Sequence, residues 1–115
     1  MKIAYQGIPG SYSESCAKKM YPDCETISCK TFDECFEKAN QDNNMRSIIP
    51  ESNKTTGNIG VEYLIFKYRL NIYAEHFFPI KHNLLGIKGS NLYDIKDVYY
   101  NAQALSQSSN FIKKN

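Results

Sequence analysis

Short apolar runs alternate with helical patterns in the first half of the chain. Three runs rich in β-formers predict strands, Ile3–Tyr5, Thr26–Cys29 and Ser47–Ile49, the last halted by a proline. Each stretch between them opens with a Ser or Thr that lies three residues before a Glu, which is the pattern of a helix-capping box. These boxes are Ser11–Glu14 and Thr31–Glu34. The sequence therefore predicts the order β-α-β-α-β.

The second of these helices has the clearest buried face. Its apolar side chains recur at i, i+3, i+4 and i+7, a spacing that places them on one side of an α-helix. They are Phe32, Cys35, Phe36 and Ala39. We therefore expect Phe36 to be buried in the core.

The pattern changes from helix to strand in the second half of the chain. Val61, Leu64, Ile65 and Tyr68 repeat the helical spacing, after a polar break at 40–44 and a loop at 51–58. Alternating apolar positions in 70–80 then predict one long strand, in which a proline marks a bend or an edge. A further strand is predicted at 98–100, and a last helix begins near Asn101.

The alternation of strands and helices favours an α/β architecture with right-handed crossovers and a largely parallel sheet. Ligands of such sheets bind beyond the carboxyl ends of the strands. The predicted binding edge comprises Gln6–Ser13, Thr31, Pro50–Asn58 and the segment after Tyr100. Glycine-containing loops before helix N-termini favour a carboxylated small molecule, although the same residue types also serve simply as turns and caps.

Composition and charge narrow the class of protein. The 115 residues are 42% hydrophobic and 23% charged, which indicates one folded unit with a modest core. A net charge of +2 without a basic stripe gives no indication of nucleic-acid binding. No apolar run reaches the roughly 20 residues that span a bilayer, so we expect no membrane segment and a cytoplasmic protein.

The spacing of the four cysteines indicates reduced, structural thiols. They form no C-x-x-C pair, and both histidines lie far along the chain from them, so we expect no metal site. Cys16 and Cys35 lie on apolar helix faces, where a thiol behaves as a small hydrophobe.

Four segments, in this order, resemble the motifs of prephenate dehydratases. Residues 3–13 resemble a first strand that runs into a G-x-x-G-[T/S]-[F/Y]-S turn, and residues 49–57 resemble a P-I-E-N-S-x-x-G loop. Residues 70–75 and 80–85 are similar to the segment between the family's two lobes, which ends in H-x-L-L. Residues 98–107 are similar to V-x-S-H-P-Q-A-L-x-Q.

The resemblance implies a periplasmic-binding-protein-like, two-lobed α/β fold with largely parallel sheets, incomplete in this chain. Residues 1 to about 76 would form the first lobe, and residues from about 77 to 115 would begin the second. It further implies a lyase that converts prephenate to phenylpyruvate, with loss of water and carbon dioxide, in L-phenylalanine biosynthesis. The family needs no metal or organic cofactor, and its full-length members are expected to be homo-oligomers.

The family's substrate-binding residues carry over by position onto six residues of this chain. Ser11 and Ser13 match the glycine turn, whereas the amide and hydroxyl of the loop match Asn53 and Thr55. The two glutamines of the last motif are Gln103 and Gln107. Each also has a structural interpretation, as a cap, a turn residue or a solvated helix surface. We expect His82 to be a packed or surface histidine.

Several positions depart from the family pattern. Ser52 and Lys54 replace the loop's Glu and Ser, and Tyr100-Asn101-Ala102 replaces S-H-P. The family's T-R-F motif, whose threonine is the favoured proton donor, does not occur in this sequence, so the catalytic residue stays unknown. We therefore expect a family fragment that is inactive alone. A non-catalytic carboxylate-binding remnant and an arogenate dehydratase are the alternatives.

Overall fold

The computed structural model describes residues 1–54 and 57–115, except the side chains of Asn53 and Gln103. Within these residues, five short strands and five α-helices follow one another. The strands are β1 (Lys2–Gln6), β2 (Glu25–Cys29), β3 (Met45–Ile48), β4 (Ser52–Asn53) and β5 (Gly57–Asn58). The helices are α1 (Tyr12–Met20), α2 (Phe32–Gln41), α3 (Glu62–Tyr68), α4 (Ala102–Gln107) and α5 (Ser109–Lys114), with a 3-10 turn at Leu92–Asp94.

β1 is the centre of a parallel three-stranded sheet of order β2-β1-β3. In its register Ala4 lies opposite Ile27 of β2 and Ser47 of β3. This confirms the predicted β-α-β-α-β order and the α/β class with parallel strands. The two-lobed arrangement and the boundary near residue 76 stay predictions.

The two crossover helices pack on opposite faces of the sheet. The Thr26 hydroxyl, which shares a face with Ile3, donates to the Glu14 carboxylate of α1 at 2.9 Å. The Ser47 hydroxyl, which shares a face with Ala4, donates to the Cys35 carbonyl oxygen of α2 at 2.5 Å. The first crossover runs from β1 to β2, and the second runs back from β2 past β1 to β3. Because right-handed crossovers that run in opposite directions across a sheet place their helices on opposite faces, this arrangement follows from the strand order.

Two apolar clusters form the core. One joins Ala4, Cys29, Cys35 and Met45 between the sheet and α2. The other joins Phe36 to Val61 and Leu64 of the α3 region. Helix α2 therefore contributes to both clusters, and Phe36 is 5% exposed, as its sequence spacing predicted. Cys16, Cys29 and Cys35 are buried thiols, and burial raises the pKa of each.

An ion pair and a hydrogen bond add to the contact between α2 and α3. The Asp33 carboxylate accepts from the Lys67 ammonium at 2.7 Å and from the Tyr68 hydroxyl at 2.6 Å. These two donors hold the pKa of Asp33 below its usual range. These contacts thus fix the C-terminal end of α3 against α2.

Both predicted helix caps form, and their glutamates reach back one residue beyond the usual capping box. Ser11 accepts from the Glu14 N–H, and Thr31 accepts from the Glu34 N–H at 3.1 Å. In return, the Glu14 carboxylate accepts from the Gly10 N–H at 2.6 Å, and Glu34 accepts from the Lys30 N–H at 2.8 Å. Each cap therefore also fixes the loop that precedes its helix.

Glu14 is a buried carboxylate that joins the glycine turn, α1 and the sheet. Besides the Gly10 N–H, it accepts from the Thr26 hydroxyl and from the Lys18 ammonium, the latter at 2.7 Å. The Gly10 N–H, followed by Lys18 and Thr26, lowers the pKa of Glu14 from 4.5 to about 2. The charged form of Glu14 therefore stabilises the fold.

The strands predicted at 70–80 and 98–100 are wrong, because neither segment has regular secondary structure. A strand requires a neighbour for its backbone hydrogen bonds, and an alternating apolar pattern specifies side-chain faces without supplying that neighbour. Within the described residues no strand lies beside either segment. Their apolar side chains are largely exposed, 75% for Ile72, 90% for Phe77 and 97% for Tyr99.

The polar break and the last helix differ in detail from the sequence predictions. Helix α2 continues to Gln41, through the first residues of the break predicted at 40–44. The last helix begins near Asn101 as predicted, with Asn101 as its cap, and is divided at Ser108 into α4 and α5. Among the described residues, no helix has both the length and the apolar content that a membrane span requires.

Replacing Phe36 with alanine is expected to destabilise the fold by about 3–5 kcal/mol, because the change removes a buried ring and leaves a cavity. The matched control is Phe66→Ala on α3, where the ring is 80% exposed and its loss should have little effect. Urea denaturation followed by circular dichroism measures both. Equal midpoints for the two variants would contradict the assignment of the core.

Glu14→Gln is expected to lower the urea midpoint at neutral pH and to do so much less in acid. A depressed folded-state pKa gives stability that is complete above the unfolded value of 4.5 and is lost as the pH falls toward about 2. The difference from the unsubstituted protein should therefore shrink between about pH 5 and about pH 2. Glu37→Gln, at an exposed position on α2, is the control. A gap for Glu14→Gln that is constant with pH would refute the role of its charge.

Candidate functional site

The three parallel strands end at the same edge of the sheet, at Gln6, Cys29 and Ile48. The glycine turn at 7–10, the start of α2 and the loop at 49–58 all leave from this edge. Three of the four parts of the predicted binding edge therefore lie at the carboxyl ends of the strands. The fourth, after Tyr100, does not follow a strand.

The glycine turn is fixed by backbone geometry and by three hydrogen bonds. Gly7 and Gly10 have φ values of 129° and 88°, a region that side chains strongly disfavour. The Gly7 N–H donates to the Cys29 carbonyl oxygen at 3.0 Å, and the Ser28 hydroxyl donates to the Gly7 carbonyl oxygen. The Glu14 carboxylate holds the Gly10 N–H. The turn is thus exposed to solvent but anchored at both ends.

The loop after β3 contains a small hairpin in which β4 and β5 pair antiparallel, with Ser52 opposite Asn58. The Ile59 N–H donates to the Glu51 carbonyl oxygen at 2.8 Å and closes the hairpin. The first crossover leaves β1 toward β2, whereas β3 lies on the other side of β1. Loops that leave two such adjacent strands open a crevice between them, which is a common ligand site in parallel sheets.

Three residues from distant parts of the chain meet beside the glycine turn. The hydroxyl of Tyr12, the first residue of α1, donates to the Lys81 carbonyl oxygen at 2.5 Å and accepts from the Lys81 N–H at 3.0 Å. The Tyr12 ring packs edge-on against His82, with ring centroids 6.1 Å apart. His82 Nε2 lies 2.5 Å from Oε1 of Gln107 at the end of α4. We call Tyr12, His82 and Gln107 the Tyr-His-Gln cluster.

Phe78 extends the contact between α1 and the second half of the chain. Its ring packs edge-on against Tyr12 with centroids 6.1 Å apart, and the Lys19 ammonium lies 5.7 Å from the centre of the Phe78 ring. The segment that leads to His82 is therefore held on α1 by aromatic contacts as well as by the Tyr12 hydroxyl.

The six residues predicted to bind substrate have different outcomes. Ser11 caps α1, which is its structural interpretation, and the partly exposed Ser13 lies in the first turn of α1. Gln107 is brought to the glycine turn through His82. Thr55 lies outside the described residues, as do the side chains of Asn53 and Gln103.

Sequence reasoning missed the parts that Tyr12 and His82 play in this cluster. His82 was expected to be a packed or surface histidine, and it is exposed but hydrogen-bonded to a predicted site residue. Both residues lie within the motifs that carried the family resemblance, which was the available signal. Tyr12 and Lys81 are 69 positions apart, so no local pattern could have indicated their contact.

The Gln107 NH₂ group in this cluster is a hydrogen-bond donor of the kind that holds anions. Two depressions of the described surface lie elsewhere, one around Leu84 and Leu92 and the other around Met20 and Pro22. Within residues 1–54 and 57–115, no three His, Cys, Asp or Glu side chains come together as metal ligands.

One departure from the family pattern has a structural role. The Asn101 side chain accepts from the Ala104 N–H at 2.8 Å and so caps α4, the helix that carries Gln107. The preceding Tyr100 is 57% exposed. Asn101 therefore starts this helix with a hydrogen bond at the position where the resemblance would place a histidine.

Comparisons with known proteins agree with the motifs. The family model described as Prephenate dehydratase matches residues 3–115. The chain is 39% identical over 115 residues to "Arogenate dehydratase 2" of Petunia hybrida, which covers 99% of this chain and 29% of the relative. It is 37% identical over 115 residues to "Arogenate dehydratase/prephenate dehydratase 2, chloroplastic" of Arabidopsis thaliana, covering 99% of this chain and 30% of the relative. No solved structure matches the chain significantly.

The names of these relatives contradict the predicted cellular location. Several of them, including two Arabidopsis arogenate dehydratase/prephenate dehydratases, carry the word chloroplastic in their names. The prediction of a cytoplasmic location is therefore wrong. It rested on the absence of an apolar run long enough to span a bilayer, and such an absence does not report the compartment.

The chain spans about 30% of the length of these curated relatives. The family match nevertheless runs through the sheet, the glycine turn and the whole Tyr-His-Gln cluster. The chain belongs to the prephenate dehydratase family.

Proposed function

We propose that the carboxyl edge of this sheet and the Tyr-His-Gln cluster form part of the substrate site of a dehydratase that converts prephenate to phenylpyruvate. The observation that carries the proposal is that His82 links Gln107 to Tyr12 at the start of α1, beside the glycine turn. Two segments that resemble separate family motifs thereby contribute to one surface.

The chemistry of prephenate suits such a surface. Its two carboxylates require hydrogen-bond donors, and one carboxylate leaves as carbon dioxide while the ring hydroxyl departs as water. The site must therefore hold anions and protonate the leaving hydroxyl. The Ser13 hydroxyl and the Gln107 amide are suitable donors for the anions, and by resemblance Ser11, Asn53, Thr55 and Gln103 join them. By the resemblance, the proton donor is the threonine of the family's T-R-F motif, which is none of these residues.

Arogenate dehydratase activity is the second candidate, because the Petunia relative at 39% identity and several Arabidopsis relatives carry that name. Arogenate has an amino group where prephenate has a keto group, and the two substrates share the ring and both carboxylates. A surface that binds carboxylates serves either substrate. A non-catalytic remnant that binds carboxylates is the alternative that Lys54 and Tyr100, at two departures from the family pattern, favour.

The proposal is tested by exchanging the matching segment of Arabidopsis arogenate dehydratase/prephenate dehydratase 2 for this chain. The chimera is expected to form phenylpyruvate from prephenate, and the same protein assayed with arogenate tests the second candidate. Gln107→Leu in the chimera should lower kcat/KM about 10- to 100-fold, because it removes a hydrogen bond to a charged group.

Gln41→Leu is the matched control, since Gln41 lies at the exposed end of α2 and its amide bonds only Glu37 among the described residues. Its effect on kcat/KM should be small. A folded chimera that acts on neither substrate would count against the proposal and would favour the non-catalytic remnant.

A further inference from the structure

His82 and Gln107 form a side-chain pair whose geometry bears on how an anion is held. His82 Nε2 and Gln107 Oε1 are 2.5 Å apart, and the Gln107 NH₂ group makes no hydrogen bond within the described residues. When Nε2 carries the proton, it donates to Oε1 and occupies the acceptor end of the amide. Two N–H donors then remain for a ligand.

The direction of a glutamine amide matters when its ligand is a carboxylate. The two ends of the amide have nearly the same shape, so an unrestrained glutamine presents either its NH₂ group or its oxygen. The NH₂ group attracts a carboxylate, whereas the oxygen repels it. A neighbour that engages only the oxygen therefore selects the binding orientation before the ligand arrives, and this reduces the cost of ordering the side chain.

His82 is itself held in place by Tyr12. The two hydrogen bonds between the Tyr12 hydroxyl and the Lys81 backbone fix the residue that precedes His82. The Tyr12 and His82 rings meet at 78°, an edge-on contact that restricts the rotation of the imidazole. The imidazole is thus oriented from the glycine-turn side, although its surface is exposed.

We propose that His82 is a positioning residue, which holds the Gln107 amide with its NH₂ group directed at a substrate carboxylate. This rests on the proposed function, because it assigns a role to His82 within the same carboxylate-binding surface. His82 needs no contact with the substrate for this role.

The hydrogen bond is tested by nitrogen NMR of the ¹⁵N-histidine-labelled 115-residue chain. Neutral His82 is expected to be in the Nε2–H tautomer, and Gln107→Leu should shift it toward a mixture of tautomers. His76, the other histidine in the sequence, is an internal reference whose signals should not change. A His82 tautomer that is unaffected by Gln107→Leu would overturn the proposal.

Positioning is tested by titrating the chain with prephenate and following the Gln107 side-chain NH₂ signals. His82→Ala is expected to raise the Kd about tenfold, because the amide becomes free to turn its oxygen to the anion. In His82→Gln the amide nitrogen falls near the place of Nε2 and can still donate, so the Kd should return to within about threefold of the original. His82→Asn places its nitrogen nearer Nδ1 and should behave like His82→Ala. Rescue by Gln and not by Asn separates positioning from a general loss of packing.

The outcomes distinguish this inference from the proposed function. Prephenate binding with the same Kd in the unsubstituted protein, His82→Ala and His82→Gln would overturn the role of His82 and leave the proposed function standing. Binding that involves Gln107 and is weakened by both substitutions equally would also overturn it, in favour of packing. If the unsubstituted chain does not bind prephenate, the positioning role fails, whereas the proposed function is decided separately by the activity of the chimera.

Discussion

The structure depends on the position of β1, a strand buried on both faces in the middle of the sheet. Ile3, Ala4 and Tyr5 are all at most 2% exposed, so each face of this short strand must be covered by a helix. Crossovers of the same hand on either side of β1 supply those helices, and they bring three loops to one edge. Burial of a five-residue strand thus determines where these three loops meet.

Glu14 fixes the glycine turn at that edge of the sheet. A buried carboxylate is costly unless it is hydrogen-bonded and paired, and Glu14 satisfies the requirement with Gly10, Lys18 and Thr26. These partners belong to the turn, to α1 and to β2. Movement of the glycine turn would therefore leave a carboxylate short of a donor, which links the geometry of an exposed loop to the stability of the core.

The sequence allowed prediction of the features that depend on near neighbours along the chain. The caps at Ser11 and Thr31, the burial of Phe36 and the positions of the three strands follow from patterns shorter than about ten residues, and the parallel pairing follows from the alternation of strands and helices. The strands at 70–80 and 98–100 failed because a strand depends on a partner, and side-chain alternation does not specify one. The His82–Gln107 contact joins residues 25 positions apart, and the Tyr12–Lys81 hydrogen bond beside it joins residues 69 positions apart, which no local pattern can indicate. Motif resemblance indicated Gln107 as a candidate site residue but gave no contact for it.

In the Tyr-His-Gln cluster, the hydroxyl of Tyr12 makes hydrogen bonds that its motif alone does not require. The family pattern accepts either Phe or Tyr at this place, and a phenyl ring would preserve the packing against Phe78 and His82. It would lose both hydrogen bonds to the Lys81 backbone. In this chain residues 81–100 are exposed except for Ile95, and none of them belongs to the two apolar clusters of the core. The hydroxyl of Tyr12 therefore adds two polar contacts to the aromatic packing that attaches this segment to the first half of the chain.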